Sequence, residues 1–212
     1  MAIIPPEELL EAYSIGIFPM AEGRHSSTIE WYTARKRGII PLSLFKVSKN
    51  VMRVIRQERY TVKIDRDFTG VIKECANRSS TWISDDIIDS YSYLHELGYA
   101  HSVEVYRPSE TGHPEMAGGL YGVSLRAAFF GESLFQKDSE ASKVALFYCH
   151  KALLEGGFML WDTQFYTEHL AQFGCIEIPS EEYHRRLKQA MSKNAEFDAV
   201  DIETLKDRYV FS

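Results

Sequence analysis

Cysteine is scarce in this 212-residue chain. Cys75, Cys149 and Cys175 are odd in number and lie 74 and 26 residues apart. That spacing suits neither a disulfide framework nor a zinc pair, so free, buried thiols are expected. Long apolar runs are missing too. The longest stretches without a charged residue, 12–21 and 116–125, are ten residues each, whereas a membrane helix needs about 20. The opening MAIIPPEELLEAY puts no basic segment ahead of an apolar one; no secretory signal is read there, and the cytoplasm is the expected compartment. The seven histidines form no HExxH pattern, and neither a Gly-x-Ser-x-Gly elbow nor a GxxxxGKS/T loop occurs. Metal, serine-hydrolase and phosphate-loop chemistry therefore lack their parts. Internal repeats and Gly/Ser linkers are also missing.

What is present describes an ordinary globular chain, 45% hydrophobic and 25% charged, long enough to bury a substantial core. Its charge is unevenly spread. From Arg35 to Arg78 there are twelve Lys/Arg against four Asp/Glu, a surplus of eight; the remainder holds twelve against twenty-six, a deficit of fourteen. Such asymmetry hints at a surface for a polyanion. Within it Lys49, Arg53 and Arg56 recur at helical spacing while Val51, Val54 and Ile55 face the other way, which would present one cationic stripe to a phosphate backbone.

The pattern of elements changes near residue 80. Before it, a helix from Pro5-Pro6 to Gly16, an aromatic-rich loop through Trp31-Tyr32, a helix near 48–57, a strand near 60–65 and a helix near 67–76 are expected. After it come a helix capped by Ser84 and ended at Gly98, strands at 101–107, 116–125 and 126–131, and a helix capped by Asp138 or Ser139 and ended at Gly156-Gly157. A strand at 158–161, a helix at 165–173, a strand at 175–178 and a helix opened by Ser180 complete the order. This predicts a mixed sheet flanked by helices, α+β or α/β, as a small basic part (1–80) and a larger one (81–212). Two places stand out chemically. Glu132 follows an aromatic strand that ends at Gly131, and Asp162 closes Phe158–Trp161 with Gln164 two residues on, on the same face if the strand continues. A carboxylate and an amide side by side can orient an amine and accept its proton, although helix capping accounts equally well for Asp162. Gly118-Gly119-Leu120-Tyr121-Gly122 precedes a strand, where close packing explains glycine better than a nucleotide does.

Ordered blocks spanning nearly the whole chain resemble the leucyl/phenylalanyl-tRNA–protein transferases. They are Ala12-Tyr13-Ser14-Ile15-Gly16-Ile17-Phe18-Pro19; Trp31 with Arg37; Thr81-Trp82-Ile83; Tyr91 with 94–104; 118–123; 131–135; 141–146; and Asp162-Thr163-Gln164 with His169-Leu170 and Gly174. Met20 stands where the family usually has tryptophan, Thr33-Ala34 where it has Ser-Pro, and Thr163 where it has cysteine. The resemblance implies a C-terminal domain like the GCN5-related acyltransferases behind a smaller N-terminal one. It implies transfer of Leu, Phe or Met from charged tRNA to a protein beginning with Arg or Lys, in the N-degron pathway, with no cofactor, metal or membrane partner. By the same resemblance Asp162, Gln164 and Glu132 form the reaction centre. Leu120, Phe129, Leu134, Leu146, Cys149 and Trp161 surround the donated side chain. Trp31, Arg37, Trp82 and Tyr91, together with Arg53 and Arg56 from the basic stripe, are expected at the tRNA 3′ end and acceptor arm, with Trp31 resembling the residue that stacks on the terminal adenine. Two rivals stand beside this reading. An acetyl-CoA-dependent acetyltransferase would need a glycine-bearing pyrophosphate loop, which Gln136–Ala141 lacks. A non-catalytic tRNA- or peptide-binding relative would have little reason to keep Asp162, Gln164 and Glu132.

Overall fold

A computed structural model of the protein describes residues 4–109, 112–197 and 201–210. Helix α1 (Pro6–Ser14) starts on a proline with Glu7 and Glu8 in its first turn, where both favour a helix start. The stretch expected as a loop is instead a hairpin of β1 (Phe18–Ala21) and β2 (Ile29–Tyr32). Next come β3 (Lys36–Ile39), α2 (Lys49–Arg56), β4 (Thr61–Ile64) and α3 (Phe68–Ala76). Then α4 (Asp85–Glu96), capped by Ser84 as expected, leads into β5 (Ala100–Arg107), β6 (Glu115–Leu125) and β7 (Ala128–Gln136). The last part holds α5 (Ala141–Glu155), β8 (Leu160–Gln164), α6 (Glu168–Ala171), β9 (Ile176–Pro179), α7 (Ser180–Met191) and α8 (Ile202–Tyr209). No helix among the described residues is long and apolar enough to cross a membrane.

Seven strands form one mixed sheet in the order β4-β5-β6-β7-β8-β3-β9, antiparallel throughout except for the parallel pair β7–β8. The mixed α+β class read from the sequence is the one observed. The sheet takes β3 and β4 from the first 80 residues and places β3 between β8 and β9, so strands from both parts share one hydrogen-bonded layer. Successive side chains of each strand point to opposite faces, and the two faces feed different cores. Tyr121, Phe130 and Leu160 pack with α1, α3, α4 and α7. Leu120, Phe129 and Trp161 pack with α2, α5 and α8. The glycines of β6 serve close packing, as expected: a Cβ on Gly118 would meet Ala141 Cβ at 2.8 Å, and one on Gly119 would meet Val103 O at 2.9 Å. Cys75, Cys149 and Cys175 are free and buried.

Several expectations need correcting. Strand β7 runs to Gln136, well past Gly131. Helix α6 is four residues long and capped by the Thr167 side chain, because Phe165 and Tyr166 belong to the turn leaving β8. Helix α5 begins after Glu140, whose φ of 70° takes the turn that a side-chain cap at Asp138 or Ser139 was expected to make.

Candidate active site

The site lies where the two parallel strands part. Pairing of β7 with β8 runs from Ala128↔Leu160 to Phe130↔Asp162 and stops there. Just beyond, each strand carries an irregularity against its other neighbour. On β7, Glu132 is an extra residue between the pairs Gly122↔Gly131 and Tyr121↔Ser133. On β8, Thr163 is extra between Ile39↔Asp162 and Gly38↔Gln164. A bulge bends its strand and re-aims a side chain, and these two aim Glu132 and Gln164 into the gap. Gln164 is held at a φ of 56°, a left-handed conformation uncommon for a non-glycine residue. Gly38 lets the turn after Gln164 come close, since a Cβ there would lie 2.4 Å from the Phe165 carbonyl carbon.

A continuous polar network fills the base of this gap. The buried Arg37 guanidinium, 1% exposed, grips the fully buried Asp162 carboxylate through Nε (2.9 Å to Oδ1) and Nη2 (2.7 Å to Oδ2). Its Nη1 donates to Gly16 O at 3.0 Å, and its plane lies between the rings of Phe18 and Tyr183, 4.7 and 4.5 Å from their centroids. Asp162 also accepts from the Tyr183 hydroxyl at 2.6 Å and from the Gln164 backbone N–H at 2.8 Å. Four donors thus occupy both its oxygens. Gln164 Nε2 donates to Glu132 Oε1 at 3.1 Å, and the Tyr13 hydroxyl donates to the same oxygen at 2.8 Å. Behind Tyr13 a short hydrogen bond joins its hydroxyl to that of Tyr91. Since Tyr13 donates to Glu132, Tyr91 donates to Tyr13. Glu132 Oε2 and the Gln164 amide oxygen have no protein donor among the described residues. Burial pushes the Glu132 carboxyl up to about 8; the Tyr13 hydrogen bond and the Arg37 charge oppose that rise, while the Asp162 charge adds to it. Burial, then the Asp162 charge, pushes the Tyr183 hydroxyl far up as well, so it stays a donor.

The network opens into a cleft of about 330 Å³ lined by residues from the hairpin, the connector before α4, β6, β7, α5, β8 and α6. Of the expected side-chain pocket, Leu120, Leu134, Leu146 and Trp161 line it. Phe129 and Cys149 do not. Phe129 stacks on Phe197 at 5.0 Å, and Cys149 is a core thiol that burial pushes far up. Trp161 is backed by Phe45 (centroids 5.9 Å apart), which stacks in turn on His150 at 4.0 Å. Thr163, Thr167 and His169 add polar groups to the wall, and His169 Nε2 and the Tyr121 hydroxyl are buried without a partner among the described residues.

The residues expected at the tRNA divide four ways. Trp82 lines the cleft with Met20 and Phe18. Trp31 pairs with Pro19, so it lies on the opposite face of the hairpin from Phe18 and Met20 and does not line the cleft. Arg37 and Tyr91 are buried within the network, which corrects their expected place at the tRNA. Arg53 and Arg56 are exposed on α2 while Val51, Val54 and Ile55 are buried beneath, the stripe that spacing predicted. Tyr183 was not anticipated. An inward tyrosine in the first turn of a helix reads as ordinary core, and only the fold brings it to Asp162. Arg78, on the cleft rim, was likewise missed.

The geometry can be set beside known proteins. A family model described as leucyl/phenylalanyl-tRNA protein transferase matches residues 39–188, and one for the N-terminal domain of that family matches residues 3–35. The chain is 49% identical over 197 residues to the leucyl/phenylalanyl-tRNA–protein transferase of Ruegeria pomeroyi, covering 93% of this chain and 91% of that protein. Its namesake in Rhodopseudomonas palustris is 47% identical over 206 residues, covering 95% and 90%. Among solved structures, that of FemX superposes with a TM-score of 0.50 at 11% identity, over 95% of this chain and 70% of that one; that likeness speaks to the fold alone.

Proposed function

The chain belongs to the leucyl/phenylalanyl-tRNA protein transferase family, and from that premise we propose that it moves Leu, Phe or Met from charged tRNA to the N-terminal Arg or Lys of an acceptor protein, marking it for degradation in the N-degron pathway. The observation that carries this is the convergence of Glu132, Asp162 and Gln164 at the parting of β7 and β8, above a cleft walled by Leu120, Leu134, Leu146 and Trp161. A parallel pair that splits inside a mixed sheet supports a GCN5-related acyltransferase-like architecture. The segment before residue 80 supplies the basic face for the acceptor arm, and residues 81–212 carry most of the chemistry.

The acceptor's α-amine attacks the carbonyl carbon of the aminoacyl ester. A C–N bond forms, the bond from carbonyl carbon to ribose oxygen breaks, and the leaving hydroxyl takes up the proton that the amine gives off. The ester is already activated, so positioning supplies much of the acceleration. The open acceptors, Gln164 Oε1 and, once an arriving ammonium has displaced the carboxyl's proton, Glu132 Oε2, suit ammonium groups, which only donate. Glu132 holds the amino group of the donated residue, and Gln164 orients the incoming amine. Asp162, with both oxygens occupied, acts as an electrostatic anchor that fixes Arg37, Tyr183 and the Gln164 backbone; it has no lone pair left for the amine's proton. Trp82 and Met20, rather than Trp31, flank the terminal adenine, a stacking contact worth about 1–3 kcal/mol on an aromatic ring. Trp161 shortens the side-chain pocket and favours Leu and Met over Phe.

The test is incubation of the protein with tRNA charged with Leu, Phe, Met or Val and a peptide beginning with Arg. Transfer of the first three, with little Val, is expected. No transfer from any of them would overturn the reading.

A further inference from the structure

The connector from α3 to α4 runs along the cleft rim and carries two of its lining residues, Arg78 and Trp82. It is fixed at both points. Trp82 O accepts from Ala21 N at 3.0 Å, tying the connector to β1. Arg78 Nη2 donates to Leu134 O in a short hydrogen bond and lies 3.5 Å from Ser133 Oγ, tying it to β7. The Arg78 side chain is otherwise unused. It forms no ion pair among the described residues, and its Nε and Nη1 have no partner there. Glu74, one helical turn earlier, is taken by Lys137 at 2.6 Å. A guanidinium held by one nitrogen, exposed at the mouth of a cleft, offers its remaining donors to a ligand.

Resting on the function proposed above, we infer that Arg78 binds the 5′-phosphate of the terminal nucleotide of the charged tRNA while Trp82 and Met20 flank its base. Three features of the rim fit a nucleotide better than a peptide. A flat aromatic ring and a soft thioether border the same cleft mouth as the cation, the combination that takes a base and its phosphate together. The planar fork of arginine matches phosphate oxygens. An unpaired cation would repel an acceptor that begins with Arg or Lys, so this part of the rim suits the donor. The two anchors also hold Arg78 and Trp82 at a fixed separation, so the donor nucleotide docks into a preset frame.

Two minimal donors separate the phosphate from the rest of the tRNA: 3′-O-phenylalanyl adenosine, and the same ester carrying a 5′-phosphate. With the full-length protein and an Arg-peptide acceptor, kcat/KM is expected to favour the phosphorylated donor by about tenfold or more, chiefly through KM, the size usual for a charge-assisted hydrogen bond. In Arg78→Gln that ratio falls toward one, and in Arg78→Lys part of it returns. If the wild-type protein does not prefer the phosphorylated donor, or if Arg78→Gln keeps the ratio, the assignment is wrong. A loss shared equally by both donors, the result of Arg78 merely pinning β7, overturns it as well. Absence of transfer even from intact charged tRNA would remove the underlying function, and this inference with it.

Discussion

The parting of β7 and β8 and the outer face of α2 both gather charged side chains, and the proposed function gives both to the donor tRNA, yet they are built in opposite ways. At the strand split Arg37, Asp162, Tyr183, Gln164, Glu132, Tyr13 and Tyr91 form one continuous chain of hydrogen bonds in which both Asp162 oxygens, Glu132 Oε1 and the Tyr13 hydroxyl each serve more than one partner. On α2, Arg53 and Arg56 project into solvent from a buried apolar stripe, and the one partner seen among the described residues is Asn50 Oδ1, 2.8 Å from Arg53 Nη2. In a dry network each member is costly to lose because its neighbours are left unpaired. On a wet helix face each charge acts nearly alone and salt weakens it. Chemistry needs the first arrangement, and catching a polyanion needs only the second.

Breaking the network at its one cation is the harshest test of this contrast. Arg37→Ala leaves the fully buried Asp162 without its counter-charge, and removing one partner of a buried ion pair costs about 3–5 kcal/mol. Denaturant unfolding of this variant is expected to show a loss of that size. A loss below about 1 kcal/mol would mean that water reaches Asp162, and the two regions would then differ less than their burial suggests.

Gln164 separates catalytic from structural roles within the network. Its φ of 56° suits glycine better than glutamine, so Gln164→Gly removes the amide while relieving backbone strain, and Tyr13 still donates to Glu132 Oε1. Unfolding stability should fall far less than in Arg37→Ala. Transfer should fall about 100-fold, the scale set by loss of one oriented polar group at a reaction centre. A variant as active as the parent would reduce Gln164 to a cap on the turn that follows.

Much of the scaffold was legible because local rules agree with it. Ser84 caps α4, accepting from Ile87 N at 3.3 Å, and the 3.6-residue stripe of α2 faces inward as spacing demands. The site was only half legible. Asp162 and Gln164 were visible as a pair two residues apart on one strand. Glu132 was visible as a carboxylate after an aromatic run, but the strand was expected to end there; a bulge leaves no signature distinct from a strand end. Strand β3 was invisible, since Lys36-Arg37-Gly38-Ile39 reads as loop until β8 and β9 pair with both of its edges. The same tertiary pairing carries Arg37 inside, where a basic residue is expected only when something buried needs its charge.

Glu132 sharpens the contrast through pH. Its carboxyl is raised to about 8 in the folded protein, whereas in the unfolded chain it titrates near 4.3. Between those values the folded state binds the extra proton, so this group's contribution to stability is complete below the unfolded value and is lost as pH rises through 8. Glu132→Gln, which cannot ionise, escapes that loss. Its melting temperature relative to the parent should therefore climb from pH 5 to pH 9, while transfer is impaired because glutamine cannot give up a proton to become the counter-charge of the donated ammonium. A constant difference between the two proteins across that range would place Glu132 in contact with water.

The smallest effects belong to α2. Replacing Arg53 and Arg56 with Gln disturbs no buried side chain, so the melting temperature should be unchanged within the roughly 0.5 kcal/mol usual for surface substitutions. Binding of charged tRNA should weaken modestly, and the weakening should vanish at high salt. Each phosphate that a basic side chain neutralises releases condensed counterions, so the slope of log K against log salt flattens by about 0.9 for each phosphate left unneutralised on a duplex acceptor arm. The double variant is expected to leave close to two phosphates in that state, and each single variant half as many, because independent sites add. Turnover at saturating tRNA should be untouched, unlike every substitution in the strand split. An unchanged salt slope would take α2 off the path of the tRNA. A fall in turnover at saturation would show instead that the basic face reaches the reaction centre, and the division between a wired site and a screened one would collapse.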